Sequence, residues 1–210
     1  MKCIVCHNYS AKVFVVLKEK KYWKCNFCNA KFLDKKNFLD SKLEKQHYLK
    51  HENDLNHLGY RKFLSKLSNP LVKKISNSDV GLDFGCGHVP VLADILSISG
   101  FKLELYDPFF YPNKKNLKRK YDFITCSEVV EHFFNPFCEF NLLNKLLKPK
   151  GIIALMTCFM TSDDLFENWY YRRDPTHVVF YNEKTFKIIA SQRDWKFEIY
   201  SKDIVFLFKS

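Results

Sequence analysis

Three groups of residues have types and spacings that can do chemistry. The first is two cysteine pairs, Cys3-x-x-Cys6 and Cys25-x-x-Cys28, with 18 residues between them. Each pair bends into a turn that offers two thiolates to one ion, and this separation suits a four-cysteine zinc site. Two such turns complete a tetrahedron around Zn²⁺ with no open position, so the site is structural and chemistry belongs elsewhere. Four buried thiols without metal are the plainer alternative. The second group is Gly81-Leu82-Asp83-Phe84-Gly85-Cys86-Gly87, with Asp107 standing 20 residues after Gly87. Glycines let the backbone approach a ligand, and the helix that follows offers free N–H groups. An acid at Asp107 can accept hydrogen bonds from both hydroxyls of a ribose. The third group is Ser127-Glu128-Val129-Val130-Glu131-His132. On a helix, Glu128, Glu131 and His132 would share one face and form half of a divalent-cation site. Two other roles stand beside that one: His132 as a proton acceptor without metal, or two carboxylates supporting a helix N-terminus.

These groups need elements to hold them. Residues 1–33, bounded by the cysteine pairs, predict a zinc ribbon whose hairpin uses Val13 to Leu17 and Tyr22-Trp23. About thirty residues bury too little for independent stability, so the metal should supply much of the folding energy. Residues 34–75 form a helical connector. Leu43, Tyr48, Leu49, Leu55, Leu58, Phe63, Leu64 and Leu67 recur at helical steps until Pro70 interrupts them. Residues 76–210 alternate apolar runs with amphipathic stretches. Strands are predicted at 79–84, 102–106, 121–126, 151–158, 196–201 and 204–209, and helices at 89–99, 136–147 and 182–192. That alternation predicts an α/β fold, a parallel sheet with helices on both faces. Only Lys202-Asp203 separates the last two strands, so the sheet ends in an antiparallel hairpin. The carboxyl ends of the parallel strands then carry Asp83, Asp107 and Ser127 into one crevice.

Gly-Leu-Asp-Phe-Gly-Cys-Gly over 81–87 resembles the first motif of class I S-adenosylmethionine (SAM)-dependent methyltransferases, and the resemblance covers about residues 78–210. It implies a Rossmann-like sheet and a SAM site. In that site Asp83 ends the first strand near the cofactor, Gly85, Cys86 and Gly87 pass under its amino-acid portion, and Asp107 holds the ribose; Ser127 joins them from the crevice. Only 13 residues separate Asp107 from Tyr121, too few for a strand–helix unit, so Pro108-Phe109-Phe110 is expected to cover the adenine. Glu128-Val-Val-Glu131-His132 with the distant Thr176-His177 is similar to the ubiquinone-biosynthesis O-methyltransferases. The small-RNA 3′-terminal 2′-O-methyltransferases carry a comparable set. That match implies Glu128, Glu131, His132 and His177 as ligands of Mg²⁺ or another divalent cation that binds substrate hydroxyls. It also implies catalytic roles for His132, Glu131 and His177. A metal would lower the pKa of a hydroxyl, and the protein would align its oxygen with the sulfonium carbon.

Composition sets the outer limits. The chain has 210 residues, 47% hydrophobic and 27% charged, which excludes a disordered or fibrous class. No run of about 18 apolar residues is present, so no membrane span is expected. The 8 cysteines then read as thiols or metal ligands of a cytoplasmic protein. The net charge of +11 falls within residues 1–75, which hold 17 Lys+Arg against 6 Asp+Glu. That clustering admits RNA as a partner, although a solvated lysine surface explains it as well. Among weaker signals, Arg172-Arg173 reads equally as an anion grip or a solvated loop. Cys138 and Cys158 read as core. His47, His51 and His57 lack a nearby acid, and Tyr48 and Tyr60 are lid residues. The reading is therefore a SAM-dependent O-methyltransferase of a small hydroxylated molecule. The alternatives are an RNA 2′-O-methyltransferase and a non-catalytic SAM-binding interaction module.

Overall fold

Short buried apolar runs such as Phe123–Cys126 and Ile152–Met156 make the central strands, because both of their faces are covered. The computed structural model describes residues 1–50, 54–160 and 162–210, so His51 lies outside the described residues. The main sheet has six strands: β4 (Val80–Phe84), β5 (Lys102–Tyr106), β6 (Tyr121–Ser127), β7 (Leu147–Met156), β9 (Trp195–Ser201) and β10 (Ile204–Lys209). Their spatial order is β5-β4-β6-β7-β10-β9. β5, β4, β6 and β7 pair in parallel, and β10 is antiparallel to both β7 and β9. The sheet is thus Rossmann-like with the expected terminal hairpin.

Helices cover both faces. On one, α2 (Leu58–Leu71) and α3 (Val91–Ile98) bury Leu64, Leu67, Leu71, Leu92 and Leu96 against Phe123, Ile152, Ala154 and Phe206. On the other, α4 (Pro136–Leu146) and α5 (Glu183–Ser191) bury Phe140, Leu143, Phe186 and Ile189 against Ile124, Ile153, Leu155 and Val205. Asn182 caps α5 by accepting from the Thr185 amide, and the Thr185 hydroxyl accepts from the Asn182 amide in return. Two local expectations are corrected. α2 runs through Pro70 and ends one residue later, because a proline in the last turn removes one bond and leaves the preceding turns intact. Cys138 is exposed, since it points away from the buried Phe140–Leu143 face of α4; Cys158 is half-buried. As the 13-residue spacing predicts, no α-helix links β5 to β6, only a short 3-10 turn at Asn116–Lys118.

The N-terminal sheet holds the hairpin β1 (Ala11–Leu17) and β2 (Lys20–Cys25), then β3 (Lys31–Leu33). Its fourth strand is β8 (Val179–Phe180), contributed from far along the chain, in the order β1-β2-β3-β8. α1 (Ser41–Tyr48), capped by Asp40, lies between this sheet and α2 in the chain. No helix among the described residues is long and apolar enough to cross a membrane.

Candidate active site

The turns after β4, β5 and β6 open into one cavity of about 990 Å³. On one side stands the glycine turn. The Gly85 and Cys86 amides both donate to the Tyr106 carbonyl, at 2.7 and 3.3 Å, which ties the turn to the end of β5. Gly85 has φ +79°, and a Cβ there would lie 2.6 Å from the Val129 methyls, so the position admits only glycine. Gly87 (φ +68°) donates its amide to Asp107 Oδ2 at 3.1 Å. Asp107 Oδ1 accepts the amides of Phe109 and Phe110 at 2.8 and 3.0 Å. One carboxylate thus fixes the glycine turn and the Pro108–Phe110 segment together. Asp83 is buried behind the turn, where Thr125 Oγ1 donates to it at 2.7 Å; burial pushes its carboxyl up to about 6. Burial also raises the Cys86 thiol and keeps it protonated. The Ser127 hydroxyl lines the cavity, buried and without a hydrogen-bond partner among the described residues. Tyr48 and Tyr60 line it from the connector.

The opposite side gathers the acid–histidine residues in a way the helical reading does not anticipate. Glu128 sits at φ +53°, with its amide on the Met156 carbonyl at 2.8 Å, and only one 3-10 turn follows, Val130–His132. The shared helical face therefore does not form. Instead Glu131, His132 and His177 offer ligand atoms within 4.8 Å of one another, and Glu128 stands outside that trio. Glu128 still lines the cavity, and burial, reinforced by the charge of Glu131, pushes its carboxyl up to about 9.

Glu131 is fully buried. Its Oε1 accepts the Tyr171 hydroxyl, while its Oε2 has no partner among the described residues. His132 Nδ1 lies 3.2 Å from the Thr176 carbonyl, and His177 Nδ1 lies 2.7 Å from the Tyr171 carbonyl. A carbonyl oxygen only accepts, so each ring donates from Nδ1, which leaves Nε2 as the atom available to a ligand. His132 Nε2 is 3.9 Å from Glu131 Oε1, and the two imidazole centroids are 4.7 Å apart. Burial pushes the His132 imidazole down to about 4, so it is neutral at physiological pH. A buried acid with an unpartnered oxygen and two imidazoles anchored through Nδ1 fit a divalent cation.

Residues distant in the chain hold this arrangement. The Val178 amide donates to the Glu131 carbonyl at 2.9 Å. Asp174 accepts the Thr176 amide at 2.8 Å, and its other oxygen is 3.2 Å from His47 Nε2. His47 therefore has an acidic partner, Asp174, from far along the chain. Tyr48 packs edge-on against His132, 5.3 Å between centroids, and donates its hydroxyl to Glu44. Tyr171, Asp174 and Glu44 were not identified from sequence; the only signal for the first two was their place just before His177. Arg172 and Arg173 give their guanidinium groups to backbone carbonyls of Phe166, Glu167 and Asn168 and, for Arg172, to the Tyr22 hydroxyl, and neither lines the cavity.

The cysteines meet at the other end of the N-terminal sheet. All four are buried, with sulfur atoms within 4.8 Å of one another and 3.7 Å across Cys3–Cys28 and Cys6–Cys25. A tetrahedron with metal–sulfur bonds of about 2.3 Å has edges of about 3.8 Å, so the spacing fits a zinc ion. The amides of Val5 and Cys28 point at Cys3 and Cys25 sulfurs, at 3.4 and 3.5 Å. His7 stacks on Phe137 at 3.7 Å and takes no part in the cluster.

Among solved structures, the chain is similar to magnesium protoporphyrin IX methyltransferase from Synechocystis PCC 6803 with bound SAH. The TM-score is 0.54 at 13% identity, over 81% of this chain and 95% of that one. It is also similar to a SAM-dependent methyltransferase from Archaeoglobus fulgidus, with TM-score 0.52 and 23% identity over 67% and 73% of the two chains. Human N-acetylserotonin methyltransferase in complex with SAM gives 0.51 at 12% identity, over 72% of this chain and 54% of that one. No curated protein matches the chain. A methyltransferase-domain family model matches residues 51–198, spanning β4 to β7 and both sides of the cavity, and the chain belongs to that family.

Proposed function

We propose that this protein is a SAM-dependent methyltransferase that methylates an oxygen of a small hydroxylated molecule. The observation that carries the acceptor assignment is the Glu131–His132–His177 trio, with its unpartnered Glu131 Oε2 and two imidazoles anchored through Nδ1, on the cavity that also holds the glycine turn and Asp107. SAM supplies a methyl group on a sulfonium centre. Asp107 would bind the ribose hydroxyls, with Gly85, Cys86 and Gly87 beneath the amino-acid portion and Asp83 and Ser127 flanking it. Pro108–Phe110 gives the adenine an apolar cover in place of the missing helix. A divalent cation held by Glu131, His132 and His177 would supply the Lewis acidity that lowers the pKa of an acceptor hydroxyl. Tyr171 keeps one oxygen of Glu131 occupied and so aims the other. The Thr176 and Tyr171 carbonyls fix each imidazole tautomer and orient it. His132 as sole proton acceptor is the weaker reading, because an imidazole held near 4 is a poor base at neutral pH. The trio keeps the resemblance to the ubiquinone-biosynthesis O-methyltransferases; Glu128, outside it, would contact the acceptor as a protonated carboxyl.

The charge of the cavity supports a small acceptor over RNA. No Lys or Arg is among the described residues that line it, although the chain carries +11. Phosphate contacts depend on Lys and Arg, so a nucleic acid would find no counter-charge beside the trio. The four cysteines would hold a structural Zn²⁺ in a ribbon over residues 1–33, with 34–75 as the lid and 76–210 as the methyltransferase domain. The test is labelled SAM with a fractionated extract, separated into small-molecule, RNA and protein pools, with and without brief EDTA. Label in the small-molecule pool that EDTA removes is expected. Label in RNA would replace this reading with ribose methylation. Label in protein would make the acceptor a side chain. No label anywhere, with SAM still bound, would leave a non-catalytic module.

A further inference from the structure

The acceptor side of the cavity is not supported by the methyltransferase sheet alone. Val178 sits between two partners: its amide donates to the Glu131 carbonyl at 2.9 Å, and its carbonyl accepts the Leu33 amide at 2.8 Å. β3 therefore reaches Glu131 through one residue, and that residue adjoins His177. The ladder continues with Phe32 opposite Val179 and Lys31 opposite Phe180. β3 begins three residues after Cys28, and the Thr185 hydroxyl donates to the Cys28 carbonyl at 2.8 Å.

A second set of contacts pins the segment that carries Tyr171. Phe166 is buried edge-on against Phe14, Tyr22 and Phe180, with centroids 5.1 to 5.4 Å apart. Asp163 pairs with Lys24 and with Lys31, and Lys31 is buried. Arg172 joins the two parts, giving Nε to the Phe166 carbonyl at 3.1 Å and Nη1 to the Tyr22 hydroxyl at 3.3 Å. Its chain neighbour Tyr171 supplies a hydroxyl to Glu131 and a carbonyl to His177. None of these contacts reaches the glycine turn or Asp107.

We infer that the N-terminal cysteine-bearing sheet is the positioning frame of the acceptor site: through Val178, Phe166 and Arg172 it sets Glu131, Tyr171 and His177, and it leaves the SAM side alone. Tyr22, Leu33 and Phe166 are thus positioning residues for the methyl acceptor. The inference rests on the proposed function in taking the Glu131–His132–His177 trio as the acceptor site. It assigns the ribbon an internal task, where the basic composition of residues 1–75 pointed outward to a polyanion.

The test uses the full chain with zinc retained and two variants. Phe166→Ala removes the aromatic anchor, and Tyr22→Phe keeps the ring and removes only the oxygen that Arg172 meets. Mn²⁺ alone is the probe of the trio, with His177→Ala as background; SAM affinity by calorimetry is the probe of the other side. Amide hydrogen exchange reports on both. Phe166→Ala is expected to weaken Mn²⁺ binding by about 10-fold or more, the range for residues that orient metal ligands. Exchange at 170–178 should accelerate, with SAM affinity and exchange at 80–107 unchanged. Tyr22→Phe should give the same pattern at smaller amplitude, and Phe166→Leu should recover part of the loss. Wild-type Mn²⁺ binding and exchange at 170–178 in both variants would overturn the inference. So would equal loss on both sides, which is general destabilisation. If the wild type binds no more Mn²⁺ than His177→Ala, the metal reading has failed. Exchange then decides the positioning role: faster exchange at 170–178 alone upholds it, and unchanged exchange sinks it.

Discussion

The two sides of the cavity are built on different length scales. On the SAM side, Gly87 and Asp107 are 20 residues apart, and the Asp107 carboxylate reaches on to the amides two and three residues later. On the acceptor side, Tyr171 reaches back 40 residues to Glu131, His132 reaches 44 to Thr176, and Arg172 reaches 150 to Tyr22. A strand–turn–helix unit organises the first side from local chemistry. The second exists only once three distant segments have met. Local sites tolerate distant change, and assembled sites transmit it.

The sharpest break in that contrast is His132→Ala. It should lower kcat by about 10² to 10⁴-fold, the range for a lost acid–base or ligand group, and leave SAM affinity unchanged by calorimetry. Wild-type turnover would remove His132 from the chemistry. Next is the reverse lesion, Asp107→Ala, which removes the acceptor of the part-buried amides of Gly87, Phe109 and Phe110 together with the carboxylate proposed to hold the ribose. A hydrogen bond to a charged group is worth about 1.5–3 kcal/mol, so SAM affinity should fall by roughly 10- to 100-fold with Mn²⁺ binding retained. Tyr171→Phe is milder. It removes the donor to Glu131 Oε1 and the partner of the buried Thr157 hydroxyl but keeps the ring, and should reduce kcat by about 10-fold and lower the thermal midpoint by a few degrees. The smallest effect is Arg173→Ala, whose only side-chain hydrogen bond among the described residues goes to the Asn168 carbonyl at the surface. Steady-state kinetics should not change on either side, and a rise in acceptor KM would return it to the role of anion grip.

The same length scales decide what the sequence could reveal. Asp83, the glycine turn and Asp107 were legible because strand, turn and acid follow one another, and their spacing alone brings them together. Glu131 and His132 were legible as a motif, but for a geometric reason that fails: the segment leaves β6 through a left-handed Glu128 into a 3-10 turn, so Glu128 departs from the trio. The partners of the trio were not legible. Nothing in Tyr171 or Val178 distinguishes them from other buried residues until β3 and β8 pair. Within its own helix His47 has only Glu44, which accepts from Tyr48, and Asp174 reaches it only through tertiary folding. The cysteine spacing announced the cluster, while the surface that the cluster's sheet covers had no signature at all.

The pairing of β3 with β8 also bears on how the chain is made. The Cys28 carbonyl waits for a hydroxyl 157 residues later, and the Cys6 carbonyl for the Gln192 amide 186 residues later. At synthesis rates of roughly 5–20 residues per second, the amino-terminal sheet emerges about 8 to 30 s before its fourth strand. During that interval Phe32 and Leu33, buried in the finished molecule, lie on an open edge. Such an edge recruits foreign strands. The lysines at 20, 21, 24, 31, 35 and 36 crowd this stretch, and charge of one sign on an open edge disfavours pairing with another copy of it.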